Sequence, residues 1–241
     1  ARRASAERIT AVMPFFGYAR QDRKDQPRVP ITAKLIANLL TSAGVSRVLT
    51  MDLHAGQVQG FFDGPVDHLW ALPMLCDHVS AKWGHEPLTV VSPDSGRVRV
   101  ADIWADRLGA PLAIVHKRRD PDVPNQVTAH ELVGDVQGRT CLLVDDMIDT
   151  AGTIVAAAAA LKKNGAARVI VAATHAIFSD PAVERLSSEA VDAVVVTNTL
   201  PVGPDKQFAK LEVLSIAPLI AKAISAVFDD DSVNSLFPGH A

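Results

Sequence analysis

Several features that would point to a secreted, membrane or nucleic-acid-binding protein are scarce in this 241-residue chain. Its two cysteines, Cys76 and Cys141, are too few for a metal cluster or a disulfide framework. The longest strongly apolar run, residues 154–161, is mostly alanine and falls far short of the roughly 20 residues that a membrane span needs. The 24 basic and 27 acidic residues give a net charge of −3, so no general basic surface favours nucleic acid. The sequence therefore predicts a protein of a reducing, cytoplasmic compartment with neither a membrane nor a nucleic-acid partner.

The chain also lacks a starting methionine and begins Ala1-Arg2-Arg3-Ala4, with no apolar run typical of a signal peptide. Either a start has been processed away or the sequence is part of a longer protein. The length suits one large domain or two small ones. Apolar residues make up 48% and charged residues 21%, which is close to the globular average and excludes extensive disorder.

Short apolar strands alternate with helical stretches along the chain. Because several strands are nearly continuous β-branched runs, as in parallel sheets buried on both faces, we expect an α/β fold with helices on both faces of the sheet. Residues 118–126 hold four charges and two prolines and are predicted to form an exposed lid-like loop; residues 200–207 are a shorter surface loop. The predicted strands are residues 8–15, 48–51, 88–91, 112–116, 140–144, 168–173, 192–197 and 211–215. The predicted helices are residues 31–43, 73–83, 97–108, 154–164, 181–188 (with Ser179 or Asp180 as cap and Pro181 in the first turn) and 218–228.

The segment LLVDDMIDTAGT, residues 142–153, carries the strongest chemical signal. A buried strand leads to two acidic residues, and a small-residue turn then precedes a helix. Ligands of α/β proteins bind outside the carboxyl ends of strands, and the exposed N–H groups at a helix start favour an anion. The turn is therefore expected to hold a phosphate, and the carboxylates beside it suit the vicinal hydroxyls of a sugar, or a metal. The residues concerned are Asp145, Asp146, Asp149, Thr150, Ala151, Gly152 and Thr153.

Three further segments have both an ordinary and a functional interpretation. The charged run YARQDRKD, residues 18–25, could simply be a solvated loop. His54 follows a strand-end Asp in MDLH, which suits a Mg²⁺–phosphate site only if a phosphate substrate lies near. The cations of HKRR, residues 116–119, could be a surface cluster or a mobile clamp on a polyphosphate.

Taken together, ARQDRK, MDLH, SPDSG (residues 92–96), HKRR and VDDMIDTAGT resemble the bacterial ribose-phosphate diphosphokinases, also called phosphoribosyl pyrophosphate synthetases. The resemblance covers essentially the whole chain, in order and at similar spacing. It implies two tandem type I phosphoribosyltransferase-like domains, each a parallel sheet flanked by helices. The first, N-terminally truncated, would span residues 1–70 with a returning helix at 217–241. The second, residues 71–216, would bind ribose 5-phosphate.

The resemblance also implies the chemistry. Such enzymes transfer the diphosphoryl group of ATP to the C1 hydroxyl of ribose 5-phosphate, with Mg²⁺ as cofactor, and form homo-oligomers such as hexamers. By their matching positions, Lys117 and Arg119 would be catalytic and would lie on the mobile loop. Ribose 5-phosphate would be bound by Arg119, Asp145, Asp146 and residues 149–153. ATP would be bound by Arg20, Gln21 and Asp25, and the metal by His54 and Asp94.

Two departures accompany the resemblance. Family members carry a further α/β unit before the position of Ala1, including a segment that a neighbouring subunit contributes to the ATP site. Its absence leads us to expect a complete ribose-phosphate site but an incomplete ATP site and oligomer interface. Ala151 replaces a frequent glycine, which is a small change provided that its φ is negative.

Two alternatives stay open. A catalytically inactive fragment or regulatory subunit of the same family would share the fold, although such proteins typically lose the lid cations or metal residues. A phosphoribosyltransferase would share VDDMIDTAGT but has no reason to carry ARQDRK, MDLH and HKRR together.

Overall fold

The structure, a computed structural model, describes residues 1–119 and 127–237. The chain divides into two units. The first comprises Ala1–Ala71 and Ser215–Ala241, and the second comprises Leu72–Leu214. No helix within the described ranges is both long and apolar enough to cross a bilayer.

A three-stranded parallel sheet organises the first unit, in the order β1 (Thr10–Met13), β2 (Arg47–Met51) and β3 (Val66–Leu69). Helix α1 (Thr32–Ala43) ends at Gly44, whose φ of 95° is the left-handed conformation that glycine adopts without strain. Ala33 and Ala37 of α1 pack with Val48 of β2 and with Phe62 in a small buried core. The unit also contains helix α6, Ala217–Phe228, and 3-10 helices at Arg2–Ala4, Gly56–Phe61 and Val233–Leu236.

The second unit contains a seven-stranded sheet and four helices. Its strands are β4 (Leu88–Ser92), β5 (Leu112–Arg119), β6 (Val127–Val133), β7 (Thr140–Ile148), β8 (Arg168–Ala176), β9 (Ala193–Thr197) and β10 (Leu211–Leu214), in the order β10-β9-β8-β7-β4-β5-β6. All neighbouring strands are parallel except β5 and β6. The helices are α2 (Leu72–Trp83), α3 (Val98–Leu108), α4 (Gly152–Lys163) and α5 (Ala182–Leu186).

The two central strands of this sheet, β4 and β7, set the position of the site. From β4 the chain passes through α3 to β5 on one side, and from β7 it passes through α4 to β8 on the other. The strand order therefore reverses between β4 and β7, and the loops that leave their carboxyl ends diverge. Open α/β sheets bind ligands at such a switch point.

The predicted α/β class with parallel sheets flanked by helices is confirmed, with differences in particular elements. The strand predicted to end at residue 144 continues to Ile148 because it pairs with β8 as far as Ala176. The strand predicted to end at residue 116 continues to Arg119, paired with β6. The strands β3 and β6 were not predicted at all.

Two local predictions need correction. The helix predicted over residues 181–188 is shorter, Ala182–Leu186, and Pro181 is its cap rather than a member of its first turn. Of the predicted loop 118–126, residues 118 and 119 belong to β5, and residues 120–126 lie outside the described ranges.

Candidate functional site

The first two acidic residues of VDDMIDTAGT, Asp145 and Asp146, lie on β7 rather than after it. Asp145 pairs in register with Ala173 of β8, and the strand continues for two residues beyond the acids. Asp145 is half-buried and Asp146 is buried. The carboxylates are thus held by the rigid sheet, which fixes their position more closely than a loop would.

The turn after β7 leads directly into α4. Asp149 is half-buried and Thr150 is exposed, and α4 begins at Gly152 with Ala151 as its cap. The cap residue, Ala151, has no side-chain group that could accept a hydrogen bond from the first N–H groups of the helix. This arrangement, an uncapped helix start beside a carboxylate pair, is suited to a phosphate with a neighbouring polyol.

The structure corrects one premise about this turn. Ala151 has a φ of 59°, in the left-handed region, and not the negative φ that would make alanine equivalent to glycine. A non-glycine residue there costs roughly 1–2 kcal/mol. The backbone of the turn therefore keeps the conformation that a glycine would adopt, at a cost in stability.

Arg97, which sequence reasoning did not single out, contacts both carboxylates of β7. Its Nε lies 3.2 Å from Asp145 Oδ1, and its Nη2 donates to Asp146 Oδ1 at 2.6 Å. The Arg97 side chain is only 18% exposed. The sequence signal that could have indicated Arg97 is the motif SPDSG, which ends immediately before this residue.

The environment of the pair favours protonation of Asp145. Its pKa is raised, first because burial removes the carboxylate from water, and then because Asp146 hydrogen-bonds to it and repels its charge. The Arg97 guanidinium opposes this shift by lowering the pKa. Arg97 and the backbone N–H of Asp146 therefore favour the ionised form of Asp145, but they do not overcome burial and the neighbouring acid.

Asp94, a predicted metal ligand, lies in the loop between β4 and α3, at the same edge of the sheet as the β7 acids. Its Oδ1 accepts a hydrogen bond from Gly96 N at 2.9 Å, and its carbonyl accepts one from Ser92 Oγ at 2.7 Å. The carboxylate is half-buried and held in place by its own turn. A carboxylate is a ligand type that Mg²⁺ accepts, and Mg²⁺ commonly uses only one or two of them together with substrate phosphates.

His54, the other predicted metal ligand, belongs to the first unit and follows β2. It is half-buried. The loop that carries it is fixed by two contacts: Leu53 N donates to His68 Nε2 at 2.9 Å, and Ala71 N donates to Asp52 Oδ2 at 3.0 Å. Within the described residues, no group of three or more His, Cys, Asp or Glu side chains is placed to hold a metal ion.

The predicted ATP-binding residues lie between β1 and α1. Arg20, Gln21 and Asp25 are all exposed. The Gln21 carbonyl accepts a hydrogen bond from Ala33 N at 3.2 Å, which ties the loop to the start of α1. Asp22 accepts a further hydrogen bond from Gln57. The run is thus an exposed but anchored loop at the carboxyl end of β1.

Lys117 and Arg119 were expected on a mobile loop, but the structure places them on the second half of β5. In the antiparallel register Lys117 pairs with His130 and Arg119 with Val127. Both residues lie beyond the part of β5 that pairs with the parallel strand β4. There β5 pairs with the antiparallel strand β6. The remainder of the predicted lid, residues 120–126, is outside the described ranges.

Arg185 is a second residue that sequence reasoning missed. Its Nη1 donates to the Thr150 carbonyl at 2.8 Å. A side chain at Gly152 would meet this same nitrogen at 3.3 Å, so the guanidinium lies closely over the turn. Helix α5 thereby braces the loop between β7 and α4 and brings a positive charge beside it.

The fold and the site together define an α/β protein with an anion-binding turn and a carboxylate pair at the switch point of its larger sheet. Two family models match the chain: the N-terminal domain of ribose phosphate pyrophosphokinase at residues 1–44, and the phosphoribosyl synthetase-associated domain at residues 121–238.

Among similar proteins, the ribose-phosphate pyrophosphokinase of Streptomyces coelicolor is 63% identical over 236 residues, covering 98% of this chain and 73% of its own length. That of Mycobacterium tuberculosis is 58% identical over 241 residues, covering 100% and 74%. A crystal structure of phosphoribosylpyrophosphate synthetase from Mycobacterium smegmatis superposes with a TM-score of 0.89 at 53% identity, covering 95% of this chain and 74% of that one. The chain belongs to the ribose-phosphate pyrophosphokinase family, which is a family of enzymes.

Proposed function

We propose that this chain transfers the diphosphoryl group of ATP to the C1 hydroxyl of D-ribose 5-phosphate, giving 5-phospho-α-D-ribose 1-diphosphate and AMP. One observation carries the proposal most directly: β7 places Asp145 and Asp146 beside the uncapped start of α4. A sugar phosphate presents hydroxyls and a phosphate to the two parts of this arrangement. Family membership supplies the class of reaction.

The binding of ribose 5-phosphate is assigned to the second unit. The 5-phosphate would accept hydrogen bonds from the turn at residues 149–153, which carries backbone N–H groups and the hydroxyls of Thr150 and Thr153. Asp145 and Asp146 would accept hydrogen bonds from the ring hydroxyls. Two kinds of contact at fixed spacing orient the sugar so that its C1 hydroxyl can face the attacked phosphoryl group.

ATP and Mg²⁺ are assigned to the residues that the family motifs indicate. Arg20, Gln21 and Asp25 would contact ATP, and His54 and Asp94 would hold Mg²⁺, which neutralises charge on polyphosphate oxygens when bound. Lys117 and Arg119 would stabilise charge on the diphosphoryl group during transfer. Arg119 would also contact the ribose phosphate. Transfer of this kind depends on in-line placement and charge neutralisation more than on covalent catalysis.

The same family membership supports three further proposals. The protein would serve nucleotide biosynthesis in the cytoplasm. It would work as a homo-oligomer, hexameric in analogy with the family. Residues 71–216 would be the ribose-phosphate-binding domain, with residues 1–70 and 217–241 forming the other.

The test is to incubate the chain with Mg²⁺, ATP and ribose 5-phosphate and to measure AMP and the sugar diphosphate together. We expect equal amounts of both products. Asp146→Asn should lower the rate on the order of 10²-fold because a charged contact to substrate is lost. Asp106→Asn, an exposed carboxylate on α3, is the matched control and should leave the rate unchanged.

Other outcomes separate the alternatives. Production of AMP without the sugar diphosphate would contradict the proposed acceptor. Consumption of the sugar diphosphate with a nucleobase, and none of its synthesis, would identify a phosphoribosyltransferase. Binding of ribose 5-phosphate with no turnover would favour a regulatory or inactive member of the family.

A further inference from the structure

The carboxylate pair on β7 already has a cation of its own. Arg97 contacts Asp145 at 3.2 Å and Asp146 at 2.6 Å through two different nitrogens of one guanidinium group. The three side chains are only 18%, 20% and 9% exposed, respectively. A guanidinium keeps its charge at any physiological pH and presents its donors in a rigid plane. The contact therefore fixes both carboxylates relative to each other.

Arg97 is itself held by the loop after β4, the strand beside β7. Asp94 caps the short turn that contains Arg97 by accepting from Gly96 N, and Ser92 Oγ donates to the Asp94 carbonyl. Helix α3 begins at the next residue, Val98. The guanidinium thus reaches the carboxylates from a constrained turn at the switch point and not from a long flexible loop.

The charges of this cluster argue for a particular ligand. Because burial and the neighbouring Asp146 raise the pKa of Asp145, the two acids and one guanidinium carry a net charge between 0 and about −1, which suits neutral hydroxyl groups. A divalent cation on the same carboxylates would lie beside the guanidinium and be repelled by it. Hydroxyl groups do not require the guanidinium to move, because they can donate to carboxylate oxygens while it stays in place.

We propose that Arg97 is the permanent counter-cation and positioning residue of the Asp145–Asp146 pair, so that this pair receives the ribose hydroxyls without a metal ion. The inference rests on the proposed function and deepens it. It assigns Mg²⁺ to the ATP side of the reaction only. Ribose 5-phosphate then binds to the protein in the absence of any divalent cation.

The test measures ribose 5-phosphate binding to the full chain by isothermal titration calorimetry, once in EDTA and once in Mg²⁺, without ATP. The wild type should bind equally well in both. Arg97→Leu should lose about tenfold or more of its affinity in EDTA, because hydrogen bonds to charged groups are the strong ones, and should regain part of it in Mg²⁺. Arg99→Leu, an exposed arginine two residues further on, is the matched control and should behave as wild type.

Arg97→Lys keeps the charge but loses the two-pronged contact. It should bind in EDTA with an affinity between those of the wild type and Arg97→Leu, and its affinity should stay independent of Mg²⁺. This variant decides the question if Arg97→Leu fails to fold, as judged by circular dichroism. Arg97→Lys binding with wild-type affinity in EDTA would contradict the positioning role.

The remaining outcomes distinguish this inference from the proposed function. Wild-type binding that needs Mg²⁺ overturns the inference while leaving ribose 5-phosphate as the substrate. Arg97→Leu binding as tightly as wild type in EDTA does the same. Wild type that binds no ribose 5-phosphate under either condition overturns the proposed function, and this inference with it.

Discussion

Ala151 carries the clearest single-residue conflict between sequence and backbone. Its φ of 59° costs roughly 1–2 kcal/mol for an L side chain. Glycine would remove that cost but would lose about 0.8 kcal/mol of methyl burial and roughly 0.5–1 kcal/mol of backbone entropy. We therefore expect Ala151→Gly to change the free energy of unfolding by less than about 1 kcal/mol in either direction.

The matched control is Ala159→Gly, at an exposed position of the same helix, α4. There the backbone is helical, so glycine should lower the free energy of unfolding by about 1 kcal/mol. Ala151 buries its methyl group and Ala159 does not, so without the left-handed conformation Ala151→Gly would be the more damaging change. Urea unfolding of both variants checks this, and a larger loss for Ala151→Gly than for Ala159→Gly would contradict the strain argument.

Asp145 gives a second prediction at this scale, through pH. Its pKa in the folded protein is raised from the ordinary value of 3.8 to about 8, so the folded state binds more protons than the unfolded state between these two pH values. The stability it contributes is fully present below pH 3.8 and is lost as the pH rises toward the folded pKa. The wild type should therefore lose stability relative to Asp145→Asn between about pH 5 and about pH 8.

Denaturant unfolding of both proteins at the two pH values measures this difference directly. Asp106→Asn, the exposed carboxylate on α3, should show no such change relative to wild type. If the wild type instead gained stability over Asp145→Asn as the pH rose, the contact with Arg97 would outweigh burial and the repulsion from Asp146.

At the scale of elements, the short helix α5 is expected to matter for ligand binding through one side chain. Arg185 donates to the Thr150 carbonyl and so holds the turn between β7 and α4. A hydrogen bond of this type contributes about 0.5–1.5 kcal/mol, so Arg185→Ala should weaken ribose 5-phosphate binding by roughly two- to tenfold. Calorimetry checks this, with Glu184→Ala, exposed on the same helix, as the control. Equal affinity in Arg185→Ala and Glu184→Ala would show that α5 does not brace the turn.

The elements also show how far the sequence alone reaches. Helices such as Thr32–Ala43 follow from the spacing of apolar residues and their flanking proline and glycine, and the structure reproduces them within a residue. The strand β7 could not be bounded in this way, because its last four residues, including both acids, are strand only through pairing with β8. Likewise β6 has no signal of its own and exists as the antiparallel partner of β5.

In the candidate site, too, some features can be predicted from local sequence and others depend on the fold. The acids and small residues at 145–153 are contiguous, so their chemistry is visible in the sequence. The contact of Arg97 with Asp146 joins residues 49 positions apart, and that of Arg185 with Thr150 joins residues 35 apart. Such contacts depend on which strands are neighbours in the sheet, and neither composition nor periodicity determines that order.

At the scale of the whole molecule, the two substrates are assigned to residues of different units. Asp146 belongs to the second unit and Arg20 to the first. Asp146→Asn should therefore weaken ribose 5-phosphate binding by about tenfold and leave ATP binding unchanged, because a charged acceptor of the ring hydroxyls is lost. Arg20→Ala should weaken ATP binding by a similar factor, with no effect on ribose 5-phosphate.

Four titrations, each variant with each ligand in Mg²⁺, make this test complete, and Arg3→Ala supplies an exposed arginine of the first unit as control. A loss of both affinities in either single variant would contradict the division, since the two ligands would then share the altered residue or respond to a common structural change. A loss confined to the predicted ligand in both variants leaves each unit responsible for one substrate. Activity would then depend on both residues, whereas the binding of each substrate would depend on only one of them.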